Sequence, residues 1–283
     1  MITDHQTNTV YLSNLLEKRC PTVYEQLIKY FKRFNIRYGI LPGTKDIWVR
    51  DYMPLQVADD YFVHYQYNPD YLNTPALQKT ITNGHALAVN LGLRINKVNI
   101  KLDGGNAVKS EQRLIATTKL IKENKPYREQ SLFQEIKAQL RVEQLILIPE
   151  EPYDIIGHAD GMVRFIDEQR VFINQYPNIN EEIETFGYNF RASLSNAGLE
   201  LVELPYYPWQ NKSNLDATGC YINYLEVGYF IFFPTYHTPR DGQVHEILSH
   251  TFKDKIITGI DCRELAPLGG VLNCITWNIY KPQ

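Results

Sequence analysis

At 283 residues the chain is long enough to bury a substantial core, as one large domain or two. Its 44% hydrophobic and 22% charged residues are ordinary for a globular protein, and a net charge of -3 gives no electrostatic reason to expect nucleic acid as a partner. No apolar run approaches the ~18 residues of a membrane span, and the opening MITDHQTNTVYLS has neither the basic nor the apolar region of a secretory signal, so the expected compartment is the cytoplasm.

Thr22 to Phe34 is the first predicted helix, with Pro21 in its first turn and Tyr24, Leu27, Ile28 and Phe31 at helical spacing. Asn35 to Leu41 reads as a strand, ended by Pro42-Gly43. In KDIWVRDYMP, Ile47, Val49 and Asp51 alternate with Trp48 and Arg50, which predicts a strand with Asp51 on the face of Ile47 and Val49. Leu55 to Val57 and Tyr61 to Tyr65 form a predicted hairpin across Asp59-Asp60. The stretch YNPDYLNT is loop, and Pro75 to Leu93 is helical with a break at Gly84. Val98 to Leu102 is a strand that delivers Asp103 just before Gly104-Gly105.

A second hairpin is expected from Ala107 to Lys109 and Leu114 to Thr117, a helix around Leu132 to Leu140, and a strand from Leu145 to Ile148. His158 and Asp160 share a face if Gly161 to Phe165 continues them as a strand, paired with Arg170 to Asn174. Glu181 to Asn196 is a helix closed by Gly198. Glu200 to Leu204, Cys220 to Glu226, Tyr229 to Phe233 and Lys255 to Gly259 read as strands. Arg240, Asp241 and Gly242 lie in a loop before a helix from Val244 to Phe252. Gly269-Gly270 make a turn, and Val271 to Thr276 read as a short buried strand with Cys274 in its middle. No linker or low-complexity tract divides the chain, so one domain over 1–283 is expected. Units of helix, strand, loop and strand pair recur with a period somewhat above ~50 residues, which suggests a closed, pseudo-symmetric ring.

Cys20, Cys220, Cys262 and Cys274 have no CxxC pairing and no zinc-finger companions, and read as reduced thiols. The 20 tyrosines read as amphipathic packing, with a cation-binding pocket as their sharper use. Taken singly, Asp51 after Arg50 is also what a surface ion pair looks like, and Asp103 what a turn residue looks like. Cys274, His158, Asp103, Asp51 and Asp160 together supply a thiol, an imidazole and three carboxylates. That set suits attack on the carbon of a planar, cationic guanidinium group.

WVRDYMP, LDGGN, GHADGMVRF, CYINYLEVGYFIFFP and LGGVLNCIT, in this order from Trp48 to Thr276, resemble the motifs of the agmatine deiminase and bacterial peptidylarginine deiminase family. The resemblance implies the pentein fold, an α/β propeller of five αβ units. It implies Cys274 as nucleophile, His158 as general acid/base, and Asp103 as the carboxylate that orients the imidazole. Asp51 and Asp160 would grip the guanidinium nitrogens, and Asn223 matches a polar pocket residue of some members. It further implies a small-molecule guanidine or arginyl-peptide substrate, and neither metal nor organic cofactor. Amidino transfer on the same fold, or a non-enzymatic pentein binding protein, are the alternatives, and a homo-oligomer is possible. The chain departs from the family at Asn273, where histidine is usual, at Met53, where glycine is usual, and at YNPDY, near the place of FNAWG. Arg240 is the candidate for holding a carboxylate on the substrate's tail.

Overall fold

The computed structural model describes residues 1–208, 211 and 213–282. It opens with strand β1 (Thr9–Ser13), which sequence patterning did not single out because both of its faces are buried. Helices α1 (Leu16–Arg19) and α2 (Pro21–Arg33) lead to β2 (Arg37–Leu41), parallel to β1. In α2 the buried residues Val23, Leu27 and Phe31 recur every four positions. Asn35, predicted as the start of a strand, instead takes φ 53° and ends the helix.

The second unit holds a single helical turn α3 (Val49–Tyr52), the hairpin β3 (Leu55–Ala58) and β4 (Tyr61–Gln66), helices α4 (Pro75–Gln78) and α5 (Gly84–Asn90), and β5 (Ile95–Lys101). The third runs through β6 (Val108–Lys109), β7 (Arg113–Thr117), α6 (Lys119–Glu123), α7 (Glu129–Leu140) and β8 (Gln144–Ile148). The fourth comprises β9 (Val163–Phe165), β10 (Arg170–Asn174), α8 (Glu181–Asn196) and β11 (Glu200–Leu204). The last comprises β12 (Leu225–Val227), β13 (Phe230–Thr235), α9 (Pro239–Thr251) and β14 (Ile256–Asp261), after which β15 (Trp277–Ile279) returns to β1.

Among the described residues these strands form five three-stranded sheets. In every sheet the middle strand has one antiparallel partner and one parallel partner reached through a helical crossover. One sheet is assembled from both chain ends, with Ile279 opposite Thr9. This is the five-unit α/β propeller architecture expected from the motifs. Among the described residues, no helix is long and apolar enough to cross a membrane.

Four further expectations fail on the way into the centre. The segment around Asp51 is the turn α3 rather than a strand; Arg50 N donates to Cys274 O at 3.1 Å, so its backbone pairs with another loop. His158 and Asp160 do not share a strand face, because Ala159–Gly161 is a 3-10 turn. Of the strand predicted over Cys220 to Glu226, only Leu225 onward is extended. Cys274 sits in a helical turn, with Ile275 N bonded to Val271 O at 3.3 Å and Thr276 N to Asn273 O at 3.2 Å. Apolar burial created these misreadings. Ile47, Val49, Ile222, Val271, Leu272 and Ile275 are fully buried, and a short buried run has the same composition whether it is strand or turn.

Candidate active site

The predicted polar residues enter the centre at one equivalent place in the repeat, the turn just before a unit's first strand. Asp51 precedes β3, Asp103 and the turn Gly104–Asn106 precede β6, and His158 with Asp160 precedes β9. Asn223 precedes β12, and Cys274 precedes β15. The Gly104–Asn106 turn packs against both α3 and the Ala159–Gly161 turn. Short turns bring their side chains to the axis, where strands would point alternate residues back into the sheets.

His158 is the best-anchored member. Its Nε2 lies 2.9 Å from Asp103 Oδ2, and its Nδ1 lies 3.5 Å from Asp51 Oδ1. Gly105 N donates to Asp51 Oδ1 at 3.0 Å. A Cβ at Gly105 would stand 2.6 Å from His158 Nδ1 and 2.7 Å from Asp51 Oδ1, so the second glycine of LDGGN is there for close approach. On the other side, Cys274 Sγ is 3.3 Å from Asn223 Oδ1 and 3.7 Å from Asp160 Oδ2. Asn223 Oδ1 also accepts from Asn273 N at 3.1 Å and Cys274 N at 3.3 Å, while its Nδ2 donates to Asp160 O at 3.2 Å. One amide thereby ties the thiol's turn to the carboxylate's turn. A Cβ at Gly270 would lie 2.9 Å from the Trp48 ring and 3.0 Å from Cys274 Sγ, which keeps that approach to the thiol open.

Asn273 has its own place. Its Nδ2 donates to Asp160 Oδ2 at 2.7 Å, and its Oδ1 accepts from Arg164 Nη1 at 3.2 Å. A guanidinium only donates, so the amide orientation follows from chemistry. Met53, the other departure, is buried in an apolar cluster with Val49, Tyr52, Phe62 and Trp277.

Asp51, His158, Asp160, Asn223 and Cys274 line a cavity of about 590 Å³ together with Trp48, Tyr67, Tyr71 and Tyr206. Asp103 lies behind His158. The electrostatics are those of a site that favours a cation. Burial raises Asp51 to about 7, helped by the charges of Asp103 and Asp160 against the pull of His158 and the Gly105 N–H. Burial works against an imidazolium at His158, but Asp51, Asp103 and Asp160 outweigh it and raise the group to about 9. The Cys274 thiol is pushed well above its usual value by burial and by Asp160 and Asp51. The cavity thus sets a thiol that resists ionisation beside an excess of carboxylate.

Arg240 is elsewhere. It belongs to the first turn of α9, not to a loop before it, and its guanidinium stacks 3.6 Å over the Tyr207 ring. It does not line the cavity, which corrects its assignment as a tail clamp. Asp241, also in α9, reaches back to the Thr238 backbone N–H as a capping box. Sequence reasoning missed Trp48, Tyr67, Tyr71, Glu151 and Asn273. The Tyr71 ring stands 5.9 Å from the His158 ring, and Lys119 Nζ lies 4.8 Å from the centroid of the same Tyr71 ring. Two tyrosines around Asn68-Pro69-Asp70 were the available signal, obscured because YNPDY also reads as an ordinary turn.

Five α/β units that bring a thiol, an imidazole and carboxylates together at one cavity give the chain a pentein-type fold with the groups of a candidate catalytic centre. The chain belongs to the Porphyromonas-type peptidyl-arginine deiminase family, which it matches over residues 2–279. A Pseudomonas fluorescens agmatine deiminase is 24% identical over 291 residues, covering 88% of this chain and 78% of that protein. A Latilactobacillus sakei protein bearing the agmatine deiminase name matches locally, at 26% over 170 residues, so that the match spans 47% of its length. The fold superposes on the C. jejuni agmatine deiminase with a TM-score of 0.82 at 19% identity, over 99% of this chain and 95% of that one.

Proposed function

We propose that the protein is a guanidine deiminase that works through a covalent S-amidino intermediate on Cys274. The meeting of Asp51, His158, Asp160 and Cys274 in one cavity, with His158 3.5 Å from Asp51 and Cys274 Sγ 3.7 Å from Asp160, carries this reading. Asp51 and Asp160 each take an N–H edge of the guanidinium, which fixes its plane and places its carbon before Sγ. The arriving cation lowers both Asp51 and Cys274, and the thiol's proton leaves to solvent. The thiolate adds to the carbon, the C–N bond breaks, and the nitrogen departs as ammonia with the proton of His158. His158 then takes a proton from water, whose oxygen adds to the same carbon. The C–S bond breaks, a ureido product leaves, and the water's second proton passes to solvent. Asp103 holds the imidazole for both transfers, and Asn273 holds Asp160 Oδ2 so that Oδ1 faces the substrate.

The cavity favours a substrate whose tail is cationic or neutral over one bearing a carboxylate. Among the described residues its lining includes Asp46, Glu151, Asp154 and Asp216 beyond the guanidinium site. The cationic residue there, Arg19, is bound to Asp46 at 2.8 Å. Ammonia and ureido product measured over agmatine, arginine, arginyl peptides and methylated arginines test the proposal. Ammonia released from agmatine without an added amine supports hydrolysis. Formation of the substrate's alkylamine and a new guanidine on an added amine, without ammonia, or no ammonia from any of these guanidines, rejects it.

A further inference from the structure

Arg164 is a buried cation that the chemistry above does not use. With Asp4, Arg50 and Asn273 it lines a cavity apart from the one that holds Cys274, and Asp160 belongs to both. Its guanidinium carbon lies 4.1 Å from the centroid of the Tyr224 ring. Nη1 donates to Tyr224 O at 2.6 Å and to Asn273 Oδ1 at 3.2 Å, and Nη2 donates to Asp4 Oδ2 at 2.6 Å. A planar guanidinium stacked on a ring and tied to three acceptors is held in one orientation. The backbone of Asn273 is held as well. Its N–H donates to Asn223 O at 3.0 Å, and its carbonyl accepts from Arg50 Nε at 3.3 Å.

An asparagine amide carries a donor and an acceptor of nearly the same shape, so its neighbours decide which end points where. Turned about, the Asn273 amide would set its NH2 against the Arg164 donors and its oxygen against the Asp160 carboxylate. Two repulsive contacts would then replace two hydrogen bonds. Asp160 needs the donor, because it is buried close to the like charge of Asp51. Among the described residues, the nitrogen that donates to its side-chain oxygens is Asn273 Nδ2, at 2.7 Å. We propose that Arg164, anchored by Asp4 and Tyr224, is a positioning residue for Asp160. It fixes the polarity of the Asn273 amide, and through that amide the carboxylate that grips the guanidinium. The inference rests on the guanidinium site proposed above. Arg164 and Asn273 should then act as one unit, so that losing the second after the first costs little. An arginine that only braces the ring would cost the same with or without the Asn273 amide.

The test reads the grip on a cation at Cys274 without turnover. Chloroacetamidine carries a cationic amidinium, chloroacetamide is its neutral counterpart, and both alkylate a thiol with loss of chloride. Mass spectrometry follows the rate at which each labels Cys274, and the ratio of the two rates is normalised to that of free cysteine. The unmodified protein should prefer the amidine. Asn273→Ala and Arg164→Met should each lower the ratio roughly 10-fold or more, and the double variant should fall no more than about 2-fold below the lower single one. Losses that multiply in the double variant, an equal fall for both probes, or no preference in the unmodified protein overturns the proposal. Should Arg164→Met fail to fold, Asp4→Asn keeps the arginine and weakens its anchor. The ratio should then fall roughly 3-fold or more, and an unchanged ratio overturns the proposal. Ammonia from none of the guanidines defeats the deiminase reading, whereas the labelling ratio decides the role of Arg164 either way.

Discussion

Asp51, buried, and Asp4, half-buried, line two different cavities and behave in opposite ways. Asp4 lies in a second cavity of about 250 Å³ that also touches Arg50, Lys109, Arg164, Asn273 and Asp160. Burial pushes Asp4 up, but Arg164, Lys109 and Arg50 outweigh it and hold the group at about 2. Its Oδ2 accepts from Arg164 Nη2 at 2.6 Å. Asp51 faces one imidazole and two like charges, and is raised to about 7. The residue type is the same, and the difference is whether the chain supplies its own cation. Where it does, the charge stabilises the ring. Where it does not, the counter-charge is left to the substrate.

The largest effect should come from removing the nucleophile. Cys274→Ser should lower turnover by roughly 10³-fold or more while guanidines still bind. A haloacetamidine probe should label Cys274 alone, since Cys20 and Cys262 are buried in the core and Cys220, which lines the cavity, is buried with its thiol donating to Gly161 O at 3.5 Å; mass spectrometry finding the adduct on another cysteine would remove Cys274 from the mechanism. Asp51→Asn sharpens the comparison with Asp4 directly. It should weaken every guanidine substrate by roughly 30-fold or more, yet stabilise the empty protein by on the order of 1–4 kcal/mol above pH 7. The sign follows from a folded-state value above the unfolded one: the cost of ionising Asp51 is absent at pH 4 and complete above 7.

Asp4→Asn should do the reverse, losing about 2–3 kcal/mol at neutral pH in urea unfolding. Its folded-state value is depressed, so the loss should shrink as pH falls through the carboxylate range toward 2. If both substitutions move stability in the same direction, the contrast between the two cavities is wrong. Asn273→Ala should cost roughly 10- to 100-fold in kcat/KM, the range for a hydrogen bond to a charged group. Asn273→His restores the usual family residue and should recover part of the loss. Full activity in the alanine variant would show that Asp160 holds its place without the amide.

The smallest effect is a pH profile. With an uncharged-tail guanidine such as butylguanidine, kcat/KM should rise with ionisation of Asp51 near 7 and fall with loss of the His158 proton near 9. An alkaline limb that stays in place in Asp103→Asn would detach His158 from that limb.

Much of the ring was legible because its helices and hairpins are amphipathic. Glu181–Asn196 and the turn at Asp59-Asp60 carry their own periodicity and punctuation, and the structure keeps both. Strand β1 was not legible, since its partners lie at Arg37–Leu41 and at the far end of the chain. By itself the sequence determined which chemistry the centre holds: the thiol, the imidazole and the carboxylates, each beside residues that mark a turn or a buried run. Tertiary structure alone decided that these groups stand on turns rather than strand faces, and that Arg240 stacks on Tyr207 outside the cavity. The physical reason is range. Periodicity and capping act over a few neighbouring residues, whereas Asp51 and His158, or Asn273 and Asp160, meet across 107 and 113 positions of chain, and a charge is satisfied or left wanting only by what folding places beside it.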